Sequence, residues 1–174
     1  MTTSTLEDEI TGWFAGRLAK DWFVTAPALE IDGDEILVVG RLANPELPAD
    51  ANDTVARAAE AGRIQEWRES TRDRRIGIAR EAERHFGRNI SWGAQCGETR
   101  HLFTTANVPV MTRLRLSERK VLDTLVQSGV ARSRSEALGW CVRLVGKHEG
   151  DWLADLREAL VQVQQVRAEG PTQL

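Results

Sequence analysis

The chain has 174 residues, of which 41% are apolar and 28% charged, with 23 basic against 26 acidic side chains. This composition can bury a core, and the mildly acidic balance excludes a nucleic-acid binder of overall positive charge. It does not exclude a basic module inside an acidic chain. Apolar runs are far shorter than the ~20 residues of a transmembrane helix, so no membrane partner is expected.

The N-terminal sequence MTTSTLEDEI is polar and acidic, without the basic and apolar regions of a secretory signal peptide. The two cysteines, Cys96 and Cys141, would stay reduced in the cytosol. We therefore expect a soluble cytoplasmic protein, associated with the nucleoid if it binds DNA.

The first part of the chain indicates a mixture of helices and strands. Apolar residues at helical spacing predict a helix over 5–20. Residues 22–31 and 34–42 are predicted to form a hairpin, because Asp32-Gly33 suits a type I′ turn with positive φ at both central positions. Residues 44–52 contain two prolines and are predicted to form a loop.

A long helix is predicted over 53–86, with Gly62 and Gly77 as positions where it could bend or break. Residues 89–103 indicate a second hairpin with Gly97-Glu98 as its turn. The order α-β-β-α-β-β predicts a small α+β sandwich over residues 1–106. Its role is not specified by any motif, and a protein partner for it stays open.

Charge is distributed unevenly along the chain. Residues 106–148 carry eight basic against three acidic side chains, whereas residues 1–105 have a net charge of −5 and residues 149–174 a net charge of −3. Asn107 and Pro109 interrupt both helix and strand patterns near the start of the positive segment. We therefore divide the chain into an α+β domain (1–106), a basic module (107–148) and a C-terminal helix and tail (149–174).

The basic module begins with an alternating sequence that predicts a short strand over 108–116. One face would carry Met111, Arg113 and Arg115. The other, buried face would carry Val110, Thr112, Leu114 and Leu116. Ser117 is predicted to cap a helix that ends at Gly129. Ser133-Arg134-Ser135-Glu136 matches a capping box and predicts a second helix. The inward face of this helix would consist of Ala137, Leu138, Cys141, Leu144 and Val145.

One strand and two helices of this size cannot bury enough apolar surface alone, and a symmetric partner would solve this. The text TRLRLSERKVLDTLVQSGVARSRSEALGWCVRLV resembles the ribbon-helix-helix fold of Arc- and MetJ-type transcriptional repressors. The resemblance implies an obligate homodimer whose two-stranded antiparallel ribbon enters the major groove of double-stranded DNA. A higher homo-oligomer built through both domains stays open.

The resemblance also implies roles for individual side chains. Met111, Arg113 and Arg115 would read bases, since arginine can donate two hydrogen bonds to guanine. The start of the second helix would hold a phosphate through free amides and its positive dipole end. The residues there are Arg132, Ser133, Arg134 and Ser135.

The tail is predicted to form a third helix over 151–168, whose apolar face would pack on the dimer or on the first domain. Trp13, Trp67 and Trp152 fall on apolar helical faces and are expected in the core. Trp92, in a predicted strand, is the tryptophan that could lie on a binding surface.

No pattern indicates an enzyme, a metal site or a cofactor. The histidines are scattered without metal-ligand spacing, and no phosphate-binding loop or nucleophile elbow occurs. Cys96 lies five residues from His101, but no orienting group for a nucleophile is evident. The preferred hypothesis is a DNA-binding transcriptional regulator. The alternatives are a scaffold or antitoxin-like protein that uses the module for dimerisation, or an N-terminal domain that binds RNA or a small molecule.

Overall fold

A computed structural model of the chain describes residues 3–48 and 50–169. It has two compact units, Met1–Pro109 and Val110–Leu174. The α+β class predicted from the sequence is confirmed. No helix in the described part of the chain combines the length and the apolar character needed to cross a membrane.

The first unit contains three helices and four strands. In chain order they are α1 (Thr3–Arg17), β1 (Ala28–Ile31), β2 (Glu35–Arg41), α2 (Asp53–Ser70), α3 (Arg72–Phe86), β3 (Asn89–Cys96) and β4 (Thr99–Leu102). The sheet order is β1-β2-β3-β4. Both predicted hairpins are present as antiparallel pairs, and β2 and β3 join them in parallel. A parallel pair needs a long crossover, which α2 and α3 supply.

The single helix predicted over 53–86 is divided into α2 and α3, and the division lies at neither Gly62 nor Gly77. The break lies at Thr71, which is buried and has φ −99° and ψ 0°. The Thr71 hydroxyl donates to the Trp67 carbonyl at 2.6 Å, a local bond that competes with the helical pattern. Both helices contact β3, so the break lets one chain segment cover the sheet twice.

The first hairpin is shorter than predicted, because β1 begins at Ala28 instead of residue 22. Trp22 is buried in the core, and the Phe23 ring lies so close to Gly40 that an added Cβ would be 1.9 Å away. The predicted type I′ turn is also wrong, since Asp32 and Gly33 do not have positive φ. Instead the Asp32 carboxylate accepts hydrogen bonds from the backbone amides of Asp34 and Glu35, at 2.8 and 2.7 Å.

The core of the first unit joins the three helices to the sheet. Ile10 and Phe14 come from α1, Ile64 and Trp67 from α2, and Ile78 and Ala82 from α3, against strand residues that include Ile36, Val38, Ile90 and Trp92. Trp67 is buried as expected and Trp13 packs partly buried against this core, and Trp92, considered for a binding surface, is a core residue that is 3% exposed.

The second unit contains α4 (Leu116–Gln127), α5 (Arg134–His148) and α6 (Gly150–Glu169). The predicted strand over 108–116 is not formed within the chain, and α4 begins one residue before Ser117, with Arg115 at its N-cap. Gly129 follows the end of α4 with φ 79°, as predicted. Ser133 caps α5, also as predicted, and the predicted third helix over 151–168 is α6, which begins at Gly150.

Candidate nucleic-acid interface

The segment that the sequence assigns to base reading is exposed and has no strand partner within the described chain. Val110 is 85% exposed and Met111 97% exposed, and the Arg113 side chain also faces solvent. Leu114 is partly buried against the small core of the second unit. Of the face that the sequence predicts to be buried, Leu114 is partly buried, whereas Val110 is exposed to solvent.

Arg115 connects this segment to α4. Its backbone is extended, with φ −76° and ψ 170°, and its amide donates to the Glu118 carboxylate at 2.5 Å. Glu118 thus satisfies a donor at the helix start, the arrangement seen in capping boxes. The Arg115 side chain is exposed at the junction between residues 108–114 and α4.

The start of α5 is a pair of reciprocal side-chain caps. The Ser133 hydroxyl accepts a hydrogen bond from the Glu136 backbone amide at 3.2 Å. The Glu136 carboxylate accepts a hydrogen bond from the Arg132 backbone amide at 2.8 Å. The Arg132 side chain is 94% exposed, with its Nε 3.9 Å from the Glu136 carboxylate. Ser135 is exposed on the first turn. A carboxylate therefore already occupies part of the positive helix end predicted to hold phosphate.

Arg134 is held by a residue of α4. Its Nε and Nη2 donate to the two carboxylate oxygens of Asp123, at 2.6 and 2.9 Å. These bonds lower the pKa of the Asp123 carboxyl and raise that of the Arg134 guanidinium, because each favours the charged form. A bidentate pair fixes the orientation of α5 on α4, so Arg134 reaches a phosphate only in competition with Asp123.

The second unit buries few of its apolar side chains. Leu122, Ala131 and Ala137 are the buried hydrophobic residues among those described for this unit. Leu138 and Cys141 pack against them as predicted, but Leu144 and Val145, expected to face inward, are exposed in the single chain. Trp152, expected in the core, is 56% exposed. Other exposed apolar residues are Val110, Met111, Leu116, Val121, Val130, Val142, Leu156, Leu160, Val161, Val163 and Val166.

The structure brings some predicted residues together and separates others. Arg132 to Ser135 form one cluster at the start of α5, while Met111 and Arg113 lie in the segment before α4. Sequence reasoning missed Asp123 as the partner of Arg134, because the two are eleven residues apart and no local pattern joins them. It also missed Arg75, a buried arginine of the first unit.

The cysteine and histidine of the second hairpin do not form a nucleophilic pair. Cys96 is buried, its thiol lies 3.7 Å from the Ala43 carbonyl, and His101 is exposed. Burial and the charge of Glu60 raise the pKa of the Cys96 thiol, which disfavours the reactive thiolate. Among the described residues, no three His, Cys, Asp or Glu side chains are grouped closely enough to hold a metal ion.

The fold defines a two-unit α+β protein, with a four-stranded sheet domain followed by a three-helix unit. Two family models match it: one described as the N-terminal domain of Rv1265-like protein, over residues 8–102, and one described as the Mb1296 C-terminal domain, over residues 115–167. The chain belongs to this Rv1265-like family. Neither description refers to ribbon-helix-helix proteins, so that resemblance stays a prediction.

The relatives come from mycobacteria. The chain is 52% identical over 159 residues to Mb1296 of Mycobacterium bovis and to Rv1265 of Mycobacterium tuberculosis, both described as uncharacterized proteins. Each match covers 91% of this chain and 69% of the relative. No solved structure matches the chain.

Proposed function

We propose that this protein is a homodimeric DNA-binding protein and a regulator of transcription. Residues 108–115 of two copies, which precede the first residue of α4, would pair as an antiparallel ribbon that enters the major groove. The observation that carries the proposal is the state of this segment, which is exposed at Val110 and Met111 and has no strand partner among the described residues. A segment whose backbone groups have no partner, and which carries apolar and basic side chains, can pair with a second copy as the exposed edge of a sheet does.

The apolar surface of the second unit supports dimerisation. Val121 on α4 and Val142 on α5 are 55% and 66% exposed, and the core beneath them contains few buried residues. A unit of about 65 residues is near the lower size at which one chain can bury enough apolar surface to be stable, so a partner that covers exposed apolar side chains would add stability. A two-fold partner covers the same patch on both copies at once, which is the usual form of a homodimer interface.

The charge of the module supports DNA as the ligand. Eight basic and three acidic side chains lie within residues 106–148, in a chain that is acidic elsewhere. In a paired ribbon, Met111, Arg113 and Arg115 would share the face opposite Leu114. Each arginine with a bidentate contact to guanine is worth about 1–3 kcal/mol of discrimination between bases.

The start of α5 would position the protein on the DNA backbone. Arg132 is the freest of the predicted phosphate contacts, because its side chain is 94% exposed. Ser133 and Ser135 would contribute at the helix start, although the Ser133 hydroxyl already serves as the helix cap. Arg134 would contribute only when it leaves Asp123. Such contacts set register without specifying sequence.

The test is selection of the purified full chain on a randomised duplex-DNA pool at two salt concentrations. We expect enrichment of a short inverted repeat, and we expect the double variant Arg113→Ala/Arg115→Ala to lose this specific binding while remaining a folded dimer. The control is Arg57→Ala/Arg80→Ala, which removes two exposed arginines from the helices of the first unit.

Unchanged affinity of the Arg113→Ala/Arg115→Ala variant for the selected site would contradict base reading by this segment. Enrichment of no sequence, with a stable dimer in solution, would instead favour a scaffold that uses the module only for dimerisation.

A further inference from the structure

A cleft of about 580 Å³ opens in the first unit where α2 meets α3, beside β3. Its charged lining comes from Arg68 and Glu69 of α2 and from Arg72 and Arg75 of α3. Its apolar lining includes Ile76, Ala79, Ile90, Trp92 and Phe103. The break at Thr71 turns the chain here, so that arginines of both helices line one cavity.

Arg75 is a buried cation without an acidic partner. Its side chain is 7% exposed, its Nε donates to the Thr71 hydroxyl at 3.0 Å, and its Nη2 donates to the Arg68 carbonyl at 2.6 Å. None of the ion pairs within 4.0 Å among the described residues includes Arg75. Burial, followed by repulsion from Arg68 and Arg72, lowers the pKa of Arg75 to about 10.

Aromatic rings surround this guanidinium but do not neutralise it. Its central carbon lies 5.3 Å from the ring centre of Trp67, 5.9 Å from that of Trp92 and 5.1 Å from that of Phe103. Contact with ring faces stabilises a cation in part. A buried charge nevertheless remains costly unless it is paired with an opposite charge. The site therefore favours an anion.

The surroundings of Arg75 strengthen this preference. Arg68 stacks on Phe103 at 5.4 Å, and both Arg68 and Arg72 are exposed at the rim of the cleft. The lining carboxylate, Glu69, already accepts a hydrogen bond from the Gln65 amide. The Trp92 indole N–H is buried without an acceptor in the described part of the chain. The lining thus presents three guanidinium groups against one carboxylate.

We propose that this cleft binds a small organic anion. Its carboxylate or phosphate would lie against the guanidinium groups of Arg75, Arg72 and Arg68, and its apolar body against Ile76, Ala79 and Ile90. Guanidinium groups suit both anions, because their planar donors match pairs of oxyanion oxygens. The proposal is independent of DNA binding, since every residue in it belongs to the first unit.

The first experiment titrates the full chain with 1-naphthoate and 1-naphthyl phosphate and follows the indole N–H resonances by NMR. We expect the Trp67 and Trp92 resonances to shift with saturation and those of Trp152, in the second unit, to stay unchanged. The neutral analogue 1-naphthylmethanol is expected to bind at least about tenfold more weakly, since it lacks the charged hydrogen-bond acceptor. Comparing the two anions shows whether the cleft prefers carboxylate or phosphate.

The second experiment repeats the titration with three variants. Arg72→Gln, at the exposed rim, and Arg75→Met, which keeps much of the buried volume, are each expected to weaken binding about tenfold or more. Arg80→Gln, an exposed position of α3 that does not line the cleft, is the control and is expected to bind as the wild type does. If Arg75→Met fails to fold, Arg72→Gln decides the question.

Three results would overturn the proposal. One is equal binding of the neutral and anionic probes, and another is equal binding by Arg72→Gln and Arg80→Gln. The third is the absence of any shift of the Trp67 and Trp92 resonances at millimolar probe.

Discussion

Arg134 at the start of α5 binds both carboxylate oxygens of Asp123 on α4, through bonds of 2.6 and 2.9 Å. The two residues are eleven positions apart, and their pair connects the two helices of the proposed DNA-binding module beside the small core of Leu122, Ala131 and Ala137. A residue that the sequence assigns to phosphate contact thus also has a structural partner.

The Asp123–Arg134 pair predicts a pH dependence of stability. Arg134 lowers the pKa of Asp123 below its ordinary value of 3.8, so the pair stabilises the folded state above that pH and this contribution is lost as the pH falls through the lowered pKa. We expect Asp123→Asn to have a lower Tm than the wild type at pH 7. The difference should shrink below about pH 4. Thermal unfolding of both proteins between pH 7 and 3 measures this, and a constant difference in Tm would contradict it.

Arg132 provides a test of phosphate contact that is separate from base reading. Removing one phosphate contact reduces the slope of log affinity against log salt by about 0.9. We expect Arg132→Gln to change the slope by this amount and to weaken binding to selected and random duplexes alike. Arg57→Gln, an exposed arginine of α2, serves as the control. A slope equal to that of the wild type would mean that Arg132 contacts no phosphate.

Ser133 is predicted to stabilise the second unit as a helix cap, whether or not DNA binds. Its hydroxyl accepts a hydrogen bond from the Glu136 backbone amide at 3.2 Å. Loss of such a cap lowers the free energy of unfolding by about 1 kcal/mol. Ser133→Ala should show this loss in urea unfolding. Ser135→Ala, at an exposed position of the same turn, should be close to neutral. Equal stability of the two variants would argue against the capping role.

Val142 tests the proposed dimer. Its side chain is 66% exposed on α5, and an aspartate there would place a charge in the apolar patch that a second copy is proposed to cover. We expect Val142→Asp to shift the sedimentation of the full chain from dimer to monomer. Val55→Asp is the matched control, because Val55 is an exposed helical valine of the first unit. A Val142→Asp protein that sediments as the wild type does would exclude this face from the interface.

Local features of the fold were predictable because local interactions form them. The two hairpins of the first unit follow from strand patterns separated by short turns. The start of α5 at Ser133 and the end of α4 before Gly129 follow from capping chemistry within a few residues. The Asp32-Gly33 turn was placed correctly but assigned the wrong geometry, because the Asp32 carboxylate binds the following amides directly.

The predicted strand over 108–116 was not found, for a different physical reason. A strand needs a hydrogen-bonded neighbour, and the described part of this chain offers none to residues 104–115. According to the proposed function, the strand forms only when two copies of the chain pair. Met111, Arg113 and Arg115 are therefore the predicted site residues whose placement depends on that assembly.

The sequence by itself determined the α+β class, most of the helices and strands, and the concentration of positive charge in residues 106–148. Tertiary structure decided which distant residues meet: the break at Thr71, the Asp123–Arg134 pair and the burial of Arg75 among Trp67, Trp92 and Phe103. Periodicity and capping depend on neighbours within a few positions. In the sequence, in contrast, nothing distinguishes Arg75 from the other arginines of its helix. Its burial is a property of the packed chain, in which α2, α3 and β3 exclude solvent from it.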